Sequence, residues 1–343
     1  MYRYAIVILR SQPFHLEHKK LLETAYQKAK KVIVVLGSAR SSRSILNPFP
    51  FDLRKQMILS CFPEVEIVPV RDYFYNYPAW LNEVKSKVQE FIKEGTKPKE
   101  ICLCGAKKDY DTQNYLTNLS QFWAFEEHKI NSVLNATDIR ANYFSGRTDW
   151  QNEVPKEAAE YLIAFYSNSN FKILHREFYF VQDYIKKTQT SQYYVQLQTC
   201  DSVCVHAGHI LVVRRKGMPG QGQIALPGGF VEHTETAQNA VFRELKEETL
   251  IDLPKDRLRD FLRGEENGYR FDHPKRDVRG RIATQAFFIK IPDKLPQPIV
   301  RGGDDAKKAW WMPYYDLFRK EEEMFSDHIH IAVNLMNKLG QTG

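Results

Sequence analysis

Two groups of side chains in this sequence have the types and spacing to do chemistry. In "ILRSQPFHLEHKKLL", His15 and His18 stand three residues apart, just after Gln12-Pro13. Three readings of this pair are open. On a helix the two rings share a face and could hold a metal with a third ligand from elsewhere. They could be packing groups, since Phe14 and Leu16 are apolar. At a strand-to-helix turn they would extend the anion cradle that backbone N–H groups form at a helix start. The second group lies in "LPGGFVEHTETAQNAVFRELKEETLI", where Glu244, Glu247 and Glu248 fall at i, i+3 and i+4 and so share one helix face. Like charges massed there destabilise a bare helix unless hard cations sit on them, and oxygen-only ligands suit Mg²⁺ or Mn²⁺. Arg243 can pair with Glu247 one turn on, while Val241, Phe242 and Leu245 point to a neighbouring flank that can anchor the helix in a core.

The elements that must position these groups follow from periodicity. "YAIVIL", "KVIVVLGS", "VEIVPV" and "EICLCG" read as strands, and "HKKLLETAYQKAK" and "PAWLNEVKSKVQEFIKE" carry apolar residues at helical spacing. Strand-helix-strand order predicts a parallel sheet covered by helices, with ligands beyond the carboxyl ends of its strands. The histidine pair lies at one such end. From Pro155 to about Lys187 the pattern is helical, and "KKTQTSQ" is a polar connection. Two strand-like runs turned at His206-Ala207-Gly208-His209 come next, then the glycine-rich loop, one strong helix and further strands near "IATQAFFIKI". The fold class expected is α/β throughout, with a parallel sheet in a domain over 1–187 and a mixed sheet in an α/β/α domain over 188–343.

Bulk properties narrow the function. A chain of 343 residues is long for one core, and 43% hydrophobic with 27% charged residues is a globular composition. No apolar run approaches the ~18 residues of a membrane span, and the first residues carry no secretory pattern, so the expected setting is the cytoplasm, with no membrane partner. The net charge of +7 is spread among acidic residues, and no basic recognition helix is evident, so nucleic acid is not an expected partner. Five cysteines suit neither a disulfide framework nor, by spacing, a zinc site. Cys102 and Cys104 should share one face of a strand as free thiols.

"LRSQPFHLEH" resembles the phosphate-binding signature of the nucleotidylyltransferase superfamily, H-x-x-H after the first strand, and "R-x-Q-P-F-H" is similar to the nicotinamide mononucleotide (NMN) adenylyltransferases of the archaeal type. The likeness continues in order through "GSARSSRSILNPFPFDLR", with Asn47-Pro48-Phe49 and Arg54, through "VPVRDYFYNYPAW", and through "NATDIRANYFSGRTDWQNEVP". It implies that Arg10, Gln12, His15, His18, Thr137 and Arg140 bind the phosphates of ATP, with His15, His18 and Arg140 catalytic. It further implies that Asp72, Asn76 and Trp80 line the pocket for nicotinamide mononucleotide. Glu17 stands where a glycine is usual.

The second stretch resembles the Nudix box, G-x5-E-x7-R-E-U-x-E-E-x-G-U with U apolar. Gly229 begins it, Glu235 takes its first acidic position, and Arg243, Glu244, Glu247 and Glu248 fill its helical core; Leu250 replaces the final glycine. The likeness implies metal-assisted hydrolysis of a nucleoside diphosphate derivative, with Glu244, Glu247 and Glu248 holding the metal and Glu248 catalytic. "GYRFDHPKRDVRGRIATQAFF" is similar to the Nudix ADP-ribose pyrophosphatases. Glu265 and Glu266, in the loop expected before that run, are candidates for a general base. Together the halves resemble a bifunctional NMN adenylyltransferase fused to a Nudix hydrolase. ATP, nicotinamide mononucleotide, NAD and ADP-ribose are then the expected small-molecule partners, and the oligomeric state is open. The rival readings are another phosphate acceptor in the first domain and a ligand-sensing role for the second.

Overall fold

The computed structural model describes residues 1–107, 110–129, 134–188 and 195–340. The chain divides into two compact units, Met1–His175 and Arg176–Gly343.

The first unit alternates strands and helices: β1 (Tyr2–Leu9), α1 (Leu16–Lys28), β2 (Ala29–Leu36), α2 (Phe51–Leu59), β3 (Glu66–Pro69), α3 (Tyr77–Gln89), β4 (Ile101–Gly105), α4 (Tyr110–Leu119), β5 (Ala124–Glu127), α5 (Ala136–Phe144) and α6 (Lys156–Phe165), and the boundary at His175 falls within the next helix, α7 (Ser169–Thr188). The strands form one sheet in the order β3-β2-β1-β4-β5, every pairing parallel. Parallel strands with helices on their faces are apolar on both sides, as the buried run Ala5, Ile6 and Val7 shows. Ile6, Ile33, Val35, Val68 and Leu103 pack against Val84 and Val88 of α3 and Leu116 and Leu119 of α4. The strand order reverses between β1 and β4, so the crevice for a ligand opens at the carboxyl end of β1, where the histidine pair begins. Cys102 and Cys104 share a face of β4, with their sulfurs 3.7 Å apart.

In the second unit come β6 (Leu197–His206), β7 (His209–Arg215), β8 (Ile224–Ala225), β9 (Gly228–Phe230), α8 (Ala237–Thr249), α9 (Lys255–Asp260), β10 (Leu262–Arg263), β11 (Tyr269–Phe271), β12 (Ile282–Lys290), β13 (Ala306–Pro313), α10 (Tyr314–Arg319) and α11 (His328–Leu339). The sheet is mixed: β12 runs parallel to β6, while β6–β7 and β7–β13 are antiparallel. The β6–β7 turn is made by Ala207 and Gly208, both at positive φ, as the His-Ala-Gly-His signal predicts. Val241, Phe242 and Leu245 of α8 are buried against Cys200 and Cys204 of β6. Val203 and Val205, of opposite parity in the strand, are buried as well, so β6 is covered on both faces. The expected α/β architecture, parallel sheet first and mixed sheet second, is what the chain adopts. The connection expected at 186–192 falls in large part outside the described residues.

Leu250 shows what the missing glycine of the box costs. It caps α8 in the left-handed conformation, φ 45° and ψ 31°, and is half exposed. A branched residue there is strained by about 1–2 kcal/mol relative to glycine, part of which glycine returns through its more flexible unfolded chain. Leu250→Gly should therefore raise stability by about 0.5–1 kcal/mol in urea unfolding. An unchanged or lower midpoint would mean that contacts of the leucine side chain outweigh the strain.

Candidate functional sites

In the first unit His15 is the N-cap of α1 and is buried, and its ring stacks on His18 at 3.6 Å between centroids, 20° from parallel. The Phe14 ring also stacks on His18, at 5.9 Å between centroids. Both imidazoles thus sit at the start of a helix that follows the central strand, the position that the anion-cradle reading requires. Glu17, at the usual glycine position, is buried and turned to Lys20 on the next turn at 2.8 Å, which offsets its charge.

Two guanidinium groups complete this region. Arg140, in the first turns of α5, donates to the Gln12 carbonyl at 2.7 Å and to Thr137 Oγ1 at 3.3 Å. Burial, and secondarily the charge of Arg10, bring its pKa down to about 10. Two cations held close enough to oppose each other form a site that an anion stabilises. Thr137 lies at the start of α5, as expected, and its N–H is capped by Asn135 Oδ1 at 3.0 Å. The Gln12 side-chain amide clasps the Phe49 backbone at both ends, each bond 3.0 Å.

Sequence reasoning did not anticipate what Arg54 does. Its buried guanidinium donates to the carbonyls of Phe49 (3.0 Å), Arg10 (2.6 Å), Gly37 (2.8 Å) and Ser38 (2.9 Å), fastening the chain ends after β1 and β2. After β3, Asp72 accepts from Ser38 Oγ at 3.0 Å and Ser41 Oγ at 2.6 Å. Asn76 is the N-cap of α3, its Oδ1 accepting from the Ala79 N–H at 3.1 Å. Trp80 packs on the core between Tyr77 and Tyr115, each 5.8 Å away. All these residues therefore lie on segments leaving the carboxyl ends of adjacent strands.

In the second unit a cavity of about 360 Å³ opens beside α8, lined by Glu244, Glu248 and Arg243 among others. The three glutamates share the expected face but grade in exposure: Glu248 is buried, Glu244 partly so and Glu247 exposed. Glu248 Oε2 accepts the Gly228 N–H at 3.0 Å, and burial pushes its pKa up to about 8. Burial also raises Glu244, against the pull of Arg243. Arg243 pairs with Glu247 one turn on, as expected, at 2.9 Å, and also with Glu244 at 2.9 Å and Glu235 at 2.6 Å. Gly229 is required locally, since a Cβ there would collide with the Glu244 carboxylate. Among the described residues no three acidic, His or Cys side chains stand together in a metal-holding cluster. The donor chemistry nevertheless fits a hard cation: two desolvated carboxylates of raised pKa on one cavity are a charge imbalance that a divalent ion corrects. Glu265 and Glu266 are exposed and do not line the cavity.

Behind the box lies a charged layer that no motif announced. Arg276 forks onto Asp327 at 2.9 and 3.1 Å and stands 3.8 Å from Asp201, whose Oδ2 accepts from Thr284 at 2.6 Å. Arg279 forks onto Asp277 at 2.9 and 2.7 Å. His328 Nδ1 accepts the Leu226 N–H at 3.0 Å, so the proton of its neutral ring is on Nε2, 3.9 Å from Asp201 Oδ1. Burial lowers the His328 pKa to about 3. Because an unfolded histidine titrates near 6.5, the unfolded chain binds the extra proton between those values, and His328 lowers stability as pH falls through that window. Between pH 7 and 5 the wild-type second unit should lose ~2 kcal/mol more than His328→Asn in urea unfolding. Equal losses would mean that the buried imidazole does take up its proton.

The comparisons bear on the two halves of the chain separately and together. The Cytidylyltransferase-like family matches residues 11–142 and the NUDIX domain family residues 198–333. A nicotinamide/nicotinic acid mononucleotide adenylyltransferase of Acinetobacter baylyi is 29% identical over 51% of this chain and 93% of its own. An ADP-ribose pyrophosphatase of Methanocaldococcus jannaschii is 34% identical over 44% of this chain and 82% of its own. The crystal structure of a bifunctional NMN adenylyltransferase/ADP ribose pyrophosphatase from Francisella tularensis, complexed with AMP and a Mn ion, is 30% identical, with a TM-score of 0.90 over 98% of this chain and 99% of that one. With a cytidylyltransferase-like domain followed by a NUDIX domain over its whole length, the chain belongs to the family of bifunctional NMN adenylyltransferase/ADP-ribose pyrophosphatases.

Proposed function

We propose that this protein joins ATP and nicotinamide mononucleotide into NAD and pyrophosphate in its first unit, and hydrolyses ADP-ribose to AMP and ribose 5-phosphate in its second. The observation that carries the reading is the end-to-end likeness to the Francisella protein, both halves in the same order. In the first reaction the mononucleotide phosphate attacks the α-phosphate of ATP in line, and no enzyme nucleophile is needed. His15 and His18 at the start of α1, with Arg10, Thr137 and Arg140, hold the phosphates and oppose the spreading negative charge. Gln12 contributes by keeping Phe49, and so the cradle's wall, in place. Asp72, Asn76 and Trp80 serve the nicotinamide mononucleotide side, Asn76 through the helix start it caps.

In the second reaction Glu244, Glu247 and Glu248 hold Mg²⁺ or Mn²⁺. Such an ion, once bound, clamps the pyrophosphate and makes a water acidic. Arg243 keeps the carboxylates oriented, and Glu248, with Oε2 on the Gly228 N–H, is poised by burial to hold or release a proton near neutral pH. The test is direct: purified protein with Mg²⁺ should form NAD from ATP and nicotinamide mononucleotide, and AMP from ADP-ribose. Adenylyl transfer only to another acceptor, such as phosphopantetheine, would overturn the first half. ADP-ribose bound but never cleaved with Mg²⁺ or Mn²⁺ would overturn the second in favour of a sensor.

A further inference from the structure

The helix α7 reads in the sequence as a closing element of the first domain, yet from Arg176 onward it belongs to the second compact unit. Two of its side chains there do specific work. Glu177 is 1% exposed, and its Oε2 accepts the Gly220 N–H at 3.1 Å. Gly220 has φ +76°, and a Cβ on it would collide with the Phe325 ring, so this backbone has one shape and little room to shift. The same loop receives a second fastening from Arg215 Nε to the Pro219 carbonyl at 3.0 Å, and its residues Gly217 and Met218 line the cavity of the glutamate helix. Two turns along α7 from Glu177, Tyr184 lies against the Arg279 guanidinium at 5.7 Å. Phe230 lies 5.2 Å from that guanidinium, and Arg279 and Phe230 both line the cavity. Glu177 and Tyr184 are seven residues apart, which puts them on one side of the helix. A buried carboxylate is costly to keep unless it is hydrogen-bonded, and one hydrogen bond that Glu177 accepts comes from a backbone N–H of a cavity loop.

We propose that α7 is a working part of the hydrolase site, with Glu177 and Tyr184 as positioning residues that set, respectively, the 217–220 loop and Arg279 on the wall of the cavity that Glu244 and Glu248 also line. The proposal rests on the hydrolase reading for its kinetic consequence but not for its structural one. Neither residue belongs to the glutamate set that performs the bond cleavage. Their loss should therefore loosen the grip on the substrate and leave the chemical step largely intact.

The experiment uses the full chain and four variants: Glu177→Ala, Glu177→Gln, Tyr184→Ala and Tyr184→Phe. Hydrogen exchange reads the loop directly. The Gly220 amide should exchange at least tenfold faster in Glu177→Ala and near the wild-type rate in Glu177→Gln, which keeps an acceptor oxygen. With ADP-ribose and Mg²⁺, the two alanine variants should raise KM about tenfold with kcat within threefold, and the Gln and Phe variants should restore KM. Adenylyl transfer by the same preparations reports that the chain is folded. Wild-type exchange at Gly220 in Glu177→Ala overturns the proposal whatever the substrate. So does a fall in kcat at constant KM, or an equal defect in the conservative variants, the marks of a purely structural helix. If wild-type protein leaves ADP-ribose intact while Gly220 still loses protection, the hydrolase reading fails and the positioning role stands.

Discussion

Glu248→Gln should reduce ADP-ribose hydrolysis by about 10³-fold, as removal of a group that acts on developing charge in a dry site does, while adenylyl transfer by the same protein is unchanged. The variant should also be the more stable one without divalent ions at pH 8. Burial raises the Glu248 pKa to about 8, whereas an unfolded glutamate titrates near 4.3. The folded state therefore holds a proton that the unfolded state has lost, and the stability this contributes is complete below about pH 4.3 and lost as pH rises through about 8. Glutamine keeps an oxygen for the Gly228 N–H and has no charge to bury, so its unfolding free energy at pH 8 should exceed the wild type's by about 1–2 kcal/mol. Mg²⁺ or Mn²⁺ should reverse the order by stabilising only the protein that has the carboxylate. A variant that is less stable than wild type in metal-free buffer at pH 8, or that still hydrolyses at wild-type rate, would show that the buried carboxylate is a structural group.

The second large effect is expected from His18→Ala: adenylyl transfer reduced by about 10²-fold or more, with ADP-ribose hydrolysis kept as an internal standard. The His18 ring stacks with His15 and with Phe14, so its loss removes both a hand for the phosphates and the face that orients the first imidazole. His18→Phe separates the two contributions. It keeps a ring to stack but cannot donate a hydrogen bond, and it should be as inactive as the alanine variant if charge neutralisation is what matters. Wild-type NAD formation by His18→Ala would remove the histidine pair from the phosphate site.

Much of this molecule was legible before any coordinates. Apolar runs of strand length alternating with amphipathic helices led to the parallel sheet, because a strand buried on both faces must be apolar throughout. The spacing of Glu244, Glu247 and Glu248 placed them on one side of α8, because helix geometry depends only on local sequence separation. The Arg243–Glu247 pair and the buried flank of Val241, Phe242 and Leu245 followed from the same geometry. Even the exception at Leu250 was visible as a missing glycine, and the chain meets it by forcing a leucine into a left-handed conformation.

Other features depended on residues far apart in sequence, and no local pattern carries those. Arg54 looked like one more motif residue, yet it ties four carbonyls from segments 5 to 44 residues away. Gln12 stood in a phosphate-binding signature, and nothing in the signature showed that its amide closes on Phe49, 37 residues away. Asp201, Arg276, Asp327 and His328 converge from β6, the loop before β12 and the start of α11, and only chain folding brings them within 4 Å of one another. The sequence alone determined what repeats along a helix or strand: which residues face together and where the sheets run. Tertiary structure decided what burial decides: that the Glu248 pKa is pushed up to about 8 and that of His328 down to about 3, and that a helix read with the first domain carries a buried glutamate, Glu177, on the Gly220 N–H of the second unit. Desolvation has no period, and so it leaves no trace in the order of residues.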